Sequence, residues 1–176
     1  MQKVKMPIEI DPIKSAQKRS DYSGVYLLEN LKRLNDITLD KSGVVDVELC
    51  CKVDEQGLTV LLVDAQTDVL ITCERCGGEM PYHLTFSTVF TPESKKVDED
   101  LVPAEYEIVA VDEFGLINLR DLVEDELILS LPNFPKHEID DCLISQDAMS
   151  WGEIDEQVST KPNPFDVLKK LKTQKD

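Results

Sequence analysis

Several things are scarce in this chain, and each shortage narrows what it can be. No apolar run approaches the ~18 residues that a membrane-spanning helix needs. The opening stretch MQKVKMPIEIDPIK has no apolar h-region, so it does not read as a secretory signal, and the expected compartment is the cytoplasm. Histidine occurs only at positions 83 and 137, which leaves little imidazole for acid–base chemistry. The 7 glycines form no phosphate loop and no dinucleotide fingerprint, and there is no nucleophile elbow or zincin motif. No two acidic residues fall in an obvious catalytic pair. These absences argue against an enzyme and against a small-molecule substrate.

Positive charge is also scarce. Nineteen Lys and Arg face 35 Asp and Glu, a net charge of −16 over 176 residues. The imbalance is uneven. Residues 1–19 carry +3 through Lys3, Lys5, Lys14, Lys18 and Arg19, and residues 161–176 carry +3, with Lys169, Lys170 and Lys172 clustered there. The middle therefore holds −22. Solvated faces and tails give such a pattern, and so does a bipolar binder whose ends meet phosphates and whose body meets a basic protein. A chain of this length suits one domain with tails and can bury roughly 70% of its unfolded surface. Five cysteines, an odd number with Cys50 and Cys51 adjacent, do not resemble a secreted disulfide framework.

Periodicity supplies the architecture. Val4, Met6, Ile8 and Ile10 alternate with charged residues around Pro7, which predicts a short edge strand. Asp11-Pro12 predicts a capped helix running through a basic turn to Ser20. Leu27, Leu28, Leu31 and Leu34 predict a second helix over about 27–36. From Val44 the period becomes two: Val45, Val47 and Leu49 alternate with Asp46 and Glu48 as far as Val53. Gly57 then supplies the positive φ of a turn. Leu58–Thr72 reads as one long strand or two shorter ones, Tyr82–Thr91 as the next, and Tyr106–Val111 as another. The strands from Val44, from Leu58 and from Tyr82, joined by short connections, suggest an antiparallel meander. Residues 92–104 read as a surface loop.

Asn118 caps the clearest helix. Its stripe is Leu119, Leu122, Val123, Leu127 and Leu131, widened by Ile128 and Leu129, and Glu124, Asp125 and Glu126 are expected to complement its N-terminal dipole. Pro132 stops it. A last short helix is capped by Asn163, with Pro164 at its first position and Phe165, Leu168 and Leu171 on one face. The fold expected is α+β: an antiparallel sheet, open or partly closed into a barrel, covered by a few helices over residues 1–146. Residues 147–176 form a linker and a short basic helix. Trp151, the single tryptophan, sits in the linker as a packing anchor or a partner contact.

The one sharp chemical motif is Cys73-Glu74-Arg75-Cys76-Gly77-Gly78, between two predicted strands. Two thiolates three positions apart grip one metal ion, and the following glycine lets the backbone aim N–H groups at sulfur, as in a zinc knuckle. His137 and Cys142 have the spacing to complete a Zn2+ site. The same pair also reads as two reduced cysteines in a tight turn. A redox dithiol fits less well, because the motif does not open a helix after a strand. Cys50 and Cys51 read as core or near-core thiols, and His83 as a surface or cross-strand residue.

These motifs carry a resemblance. MQKVKMPIEIDPIKSAQKRSDYSGVY, CERCGGEM, VDEFGLINLRDLVEDELILSLPNFPKH and KPNPFDVLKKLK occur in order across nearly the whole chain. They resemble signatures of the large ribosomal RNA subunit accumulation proteins, the bacterial YceD family. The resemblance implies a small non-enzymatic factor needed for synthesis, processing or stability of 23S ribosomal RNA, and it brings no catalytic residues. Joined to the charge pattern, it suggests an adaptor. Lys3, Lys5, Lys14, Lys18, Arg19, Lys169, Lys170 and Lys172 touch the RNA or its precursor, and the acidic body holds a basic large-subunit ribosomal protein. The alternative is a protein-only acidic chaperone or regulator of such a protein or of an RNA-processing enzyme. A ribonuclease or RNA-modifying enzyme is disfavoured by the missing histidine pair, carboxylate cluster and cofactor loop.

Overall fold

The computed structural model describes residues 5–93, 102–144 and 152. The chain divides into two units, Met1–Ile144 and Ser145–Asp176, and the architecture below belongs to the first. Its elements are β1 (Glu9–Ile10), α1 (Pro12–Lys18), β2 (Asp21–Leu27), a 3-10 turn (Leu28–Asn30), α2 (Lys32–Asn35), β3 (Val44–Val53), β4 (Thr59–Thr72), β5 (Glu79–Pro92), β6 (Tyr106–Val109), β7 (Ile117–Asn118) and α3 (Leu119–Leu129).

Alternation drives the sheet. Val45, Val47, Leu49 and Cys51 of β3 and Leu61, Val63, Ala65, Thr67, Val69 and Ile71 of β4 are all buried on the inward face, while the residues alternating with them face outward. Five strands pair in the order β2-β3-β4-β5-β6. The first four run antiparallel, as the meander requires. Leu58–Thr72 is one strand, not two, because Leu61 through Thr72 ladder without a break against Phe90 through Glu79. β6 pairs parallel to β5, from Val89↔Tyr106 to Pro92↔Val109, so the sheet is mixed at that edge. Among the described strands β2 does not meet β6, and the sheet is open, not a closed barrel.

Two short stretches differ from the periodic reading. Asp21–Leu27 is a strand paired to β3, where no strand is expected, and it ends with Leu27 exposed. The helix expected over 27–36 divides at Leu31, whose φ of −99° and ψ of 80° interrupt it. Leu28, Leu31 and Leu34 are still fully buried, so burial sets the leucine spacing and the local helix is secondary. Among the described N-terminal residues Glu9–Ile10 forms a strand, paired to Ile117–Asn118, and Met6 reaches the sheet edge through its N–H to the Val25 carbonyl at 3.2 Å.

The caps lie where the sequence puts them. Asp11 Oδ1 accepts from the Lys14 N–H at 2.9 Å, with Pro12 opening α1. Asn118 Oδ1 accepts from the Asp121 N–H at 3.2 Å at the start of α3. Leu119, Val123 and Leu127 are fully buried and Leu122, Ile128 and Leu131 partly so, but Leu129 is 76% exposed and does not widen the stripe. Asp121 is the acidic residue in the first turn, and Glu124, Asp125 and Glu126, further along α3, make other contacts. Glu124, 5% exposed, turns to α2 and accepts the N–H groups of Arg33 at 2.7 Å and Leu34 at 3.2 Å. It thus serves as the cap that α2 lacks in its own sequence. Arg33 also pairs with Asp125, and Glu126 accepts from the Thr88 hydroxyl at 3.0 Å.

Both layers share one core. The helices and Met6, Ile10 and Ile117 lie with the inward side chains of the sheet in a single buried cluster. Among the described residues no helix is long and apolar enough to cross a membrane.

Candidate functional site

The knuckle Cys73–Gly78 joins β4 to β5. The Cys73 N–H donates to the Gly78 carbonyl and the Gly77 N–H to the Cys73 carbonyl, both at 2.8 Å. Gly77 sits at φ 71°, a left-handed turn that a side chain would strain. Gly78 is a close approach: a Cβ there would stand 3.4 Å from Cys76 Sγ and 3.5 Å from Leu143 Cδ1. Two glycines in succession therefore let a second segment come down on the thiols.

That segment is the return from α3. Past Pro132 the chain lies over the knuckle, pinned by the Glu74 N–H to the Pro135 carbonyl at 2.8 Å and by the Arg75 guanidinium to the His137 carbonyl. The His137 N–H donates to Cys73 Sγ at 3.4 Å. The His137 ring has Nε2 2.9 Å from the Glu79 carbonyl. A carbonyl only accepts, so Nε2 carries the proton, and in the neutral ring Nδ1 keeps its lone pair. That lone pair faces Cys76 Sγ at 3.5 Å. With Cys142, the four ligand atoms lie within 4.8 Å of one another.

The electrostatics favour thiolate at Cys73 and Cys142. Burial pushes the Cys73 thiol up, but the N–H groups of His137, Cys76 and Arg75 aimed at its sulfur outweigh burial and hold it at about 6. The Ile144 N–H lowers Cys142 against its own burial. Cys76 gains from the Gly78 N–H, yet burial and the neighbouring Cys73 and Cys142 thiols leave it raised. The Glu79 carbonyl raises His137. Thiolates are the form that binds metal. Around tetrahedral zinc, with bonds of about 2.3 Å to sulfur and about 2.0 Å to nitrogen, sulfur and nitrogen ligands stand about 3.5 Å apart. The donor set and its supporting hydrogen bonds fit that ion.

Spacing did not reveal Arg75, Gly78 or the Glu79 carbonyl as parts of the site. The doubled glycine of CERCGGEM is the one signal for a close approach there; the others follow from tertiary packing.

The basic residues divide. Lys5, Lys14, Lys18 and Arg19 are exposed, with Lys14 and Lys18 one turn apart on α1. Lys14 Nζ pairs with Asp11 at 2.7 Å. Arg19 closes the helix at φ 50°. Lys3, Lys169, Lys170 and Lys172 lie outside the described residues, as do Trp151, the expected terminal helix, Val4 and most of the expected 92–104 loop. His83 pairs with Asp68 directly across β4 and β5 at 2.7 Å, on the surface. Cys51 is buried, its thiol pushed up to about 12 chiefly by desolvation, and Cys50 is half-buried on the opposite face.

Comparison with known proteins gives two matches that agree. A family described as Large ribosomal RNA subunit accumulation protein YceD matches residues 61–172, a span that holds the knuckle and its return segment. A Haemophilus influenzae protein named Large ribosomal RNA subunit accumulation protein YceD is 41% identical over 174 residues, covering 98% of this chain and 99% of that one. No solved structure matches.

Proposed function

The chain belongs to the large ribosomal RNA subunit accumulation protein YceD family, and from that premise we propose that it is a non-enzymatic factor for accumulation of 23S ribosomal RNA. It acts in the cytoplasm as an adaptor on the precursor of the large subunit. The observation that carries this reading is likeness to a protein of that name along nearly the full length of both chains. The mechanism rests on charge. Lys5, Lys14, Lys18 and Arg19, all exposed, contact RNA phosphates, joined by Lys3 and by Lys169, Lys170 and Lys172. The body, at −22, takes a basic ribosomal protein.

The same charge favours a second reading, a protein-only chaperone that never touches RNA, because net repulsion opposes the approach of phosphate. Ultraviolet crosslinking in cells separates the two. Denaturing purification of the protein and sequencing of attached RNA should return localised reads on 23S ribosomal RNA. Reads no higher than a mock sample overturn direct RNA contact and leave the protein-only reading.

In the same protein, Cys73, Cys76, His137 and Cys142 hold one Zn2+ in a structural role. The support is the four-donor cluster together with the Glu79 carbonyl that sets the histidine tautomer, the kind of outer hydrogen bond that metal-bound imidazoles make. When bound, the ion supplies a cross-link between the β4–β5 turn and the segment after α3. Metal analysis of protein prepared without chelator should find about one equivalent; below about a tenth of an equivalent the metal role fails.

A further inference from the structure

The five-stranded sheet has two faces, and among the described residues the helices cover one. Ala16, Leu34, Val123 and Leu127 all join the core on the inward face. The outward face of β2–β5 holds buried Val25, Val60 and Thr91 toward its ends, but at its centre Glu48 is exposed and Asp64 half-buried, and the face is predominantly acidic. Asp21, Asp46, Glu48, Asp64 and Asp68 lie on it, against Lys52 and against His83, which pairs with Asp68, with Lys5 bridged to Val25 at the β2 edge.

Its centre is a cross-strand row. Register places Ser23 opposite Glu48, Glu48 opposite Asp64, and Asp64 opposite Ser87. Like charges directly opposite on antiparallel strands destabilise the pair. No lysine or arginine among the described residues forms an ion pair with either carboxylate. Folding does not require this repulsion. Val47 and Val63 serve the core whatever occupies positions 48 and 64.

The face is also concave. Two adjoining open hollows, about 290 and 410 Å³, share Glu48 and Asp64 as their common wall. The larger is floored by half-buried Cys50 and Leu62. An apolar floor with carboxylates at the rim suits side chains that combine a long methylene stem with a cationic head. Lysine and arginine have that form; a phosphate backbone meets only repulsion here.

We propose that the outer face of β2–β5 is the docking surface for an extended lysine- or arginine-rich polypeptide segment, with Glu48 and Asp64 as its central contacts. The proposal rests on the adaptor reading above and gives the acidic body a defined site.

The test uses the full chain and a short fluorescein-labelled peptide alternating arginine and serine, with labelled oligouridylate as the RNA probe. Glu48→Gln with Asp64→Asn should weaken peptide binding by about tenfold or more. A control, Glu55→Gln with Glu113→Gln, removes the same charge from exposed turns and should change it by less than about twofold. The sheet variant should melt no lower than the parent, since it relieves repulsion, so its loss of binding is not unfolding. Equal losses in both variants mean bulk charge attraction and overturn the site. Absence of peptide binding to the parent overturns it as well. Oligouridylate binding that the sheet variant loses would give the surface to RNA instead. The 23S crosslinks report separately: a peptide failure with crosslinks present removes this surface and leaves the RNA reading standing.

Discussion

His137 Nδ1 lies 3.5 Å from Cys76 Sγ, although 61 residues separate the two in sequence. Without an ion the two segments are held in this register by hydrogen bonds: the Glu74 N–H to the Pro135 carbonyl, the Arg75 guanidinium to the His137 carbonyl, and His137 to Cys73 Sγ and the Glu79 carbonyl. Zinc removal by a chelator should therefore loosen the knuckle and the 133–144 return while leaving the β3–β5 ladder intact. Hydrogen exchange checks this. Amides of Cys73–Gly78 and 135–142 should exchange faster, and those of Val45–Cys51 should not. Cys142→Ser should lower zinc affinity by more than the about 10–100-fold that loss of a supporting hydrogen bond causes. A chelator that changes no exchange rate would sink the cross-link.

Glu124 is a carboxylate of α3 that finishes α2. Glu124→Ala leaves the Arg33 and Leu34 N–H groups without their acceptor and strips Arg33 of a partner. The expected loss is about 2–3 kcal/mol, read from urea midpoints. Glu124→Gln keeps an oxygen in the same place and should lose about 1 kcal/mol. If both variants lost the same amount, charge and not the capping oxygen would be what matters.

Much of this fold was legible from residue period and caps. Alternation located β3, β4 and β5, and Asp11 and Asn118 located the starts of α1 and α3. What was not legible depends on long-range partners. Asp21–Leu27 contains Gly24 and too little alternation to announce a strand, and it becomes one because β3 offers a free edge. The leucines at 28, 31 and 34 mimic a helix because a 3-10 turn and one helical turn happen to present them to one core, while Leu27, at the strand end, is exposed. The metal-type cluster was readable as ligand spacing alone. Its supporting contacts from the Arg75 guanidinium and the Glu79 carbonyl were not, since they depend on where the 133–144 segment returns, and a backbone carbonyl carries no sequence signature.

Two leucines in the last turn of α3 should respond differently to truncation. Leu127 is fully buried, so Leu127→Ala should destabilise by about 2–5 kcal/mol through lost burial and a residual cavity. Leu129 is 76% exposed, so Leu129→Ala should stay within about 0.5 kcal/mol. Thermal melts of both variants decide it; a large loss at position 129 would mean that another surface covers that side chain.

Burial raises the Glu126 carboxyl above its ordinary 4.5, opposed by the Thr88 hydroxyl and reinforced by Glu107 and Asp125. The sign follows. Between the ordinary value and the raised one the folded state holds more protons than the unfolded state, so this group's stabilising share is lost as pH rises through that window. Glu126→Gln should therefore gain on the parent above the window and not below it, at about pH 7.5 and not at about pH 4. Solvent screening at this half-exposed site keeps the gain below about 1 kcal/mol. A gain that is the same at both pH values would remove ionisation as its cause.

If the N-terminal cations meet phosphate, the salt dependence of binding counts them. Each neutralised phosphate contributes about 0.7 to the log–log slope on single strands and about 0.9 on duplex. Lys14→Gln, Lys18→Gln and Arg19→Gln together should lower the slope for transcribed 23S ribosomal RNA by about 2. The three are not equivalent. Lys14 Nζ already pairs with Asp11 at 2.7 Å, so part of its charge is spent within the helix cap. Lys18 has the same exposure one turn on, at the end where the helix dipole holds a cation in place. Lys18→Gln alone should therefore reduce the slope more than Lys14→Gln alone, and Asp11→Asn should increase the contribution of Lys14. An unchanged slope in the triple variant would remove α1 from the RNA interface and leave any contact to the two ends of the chain.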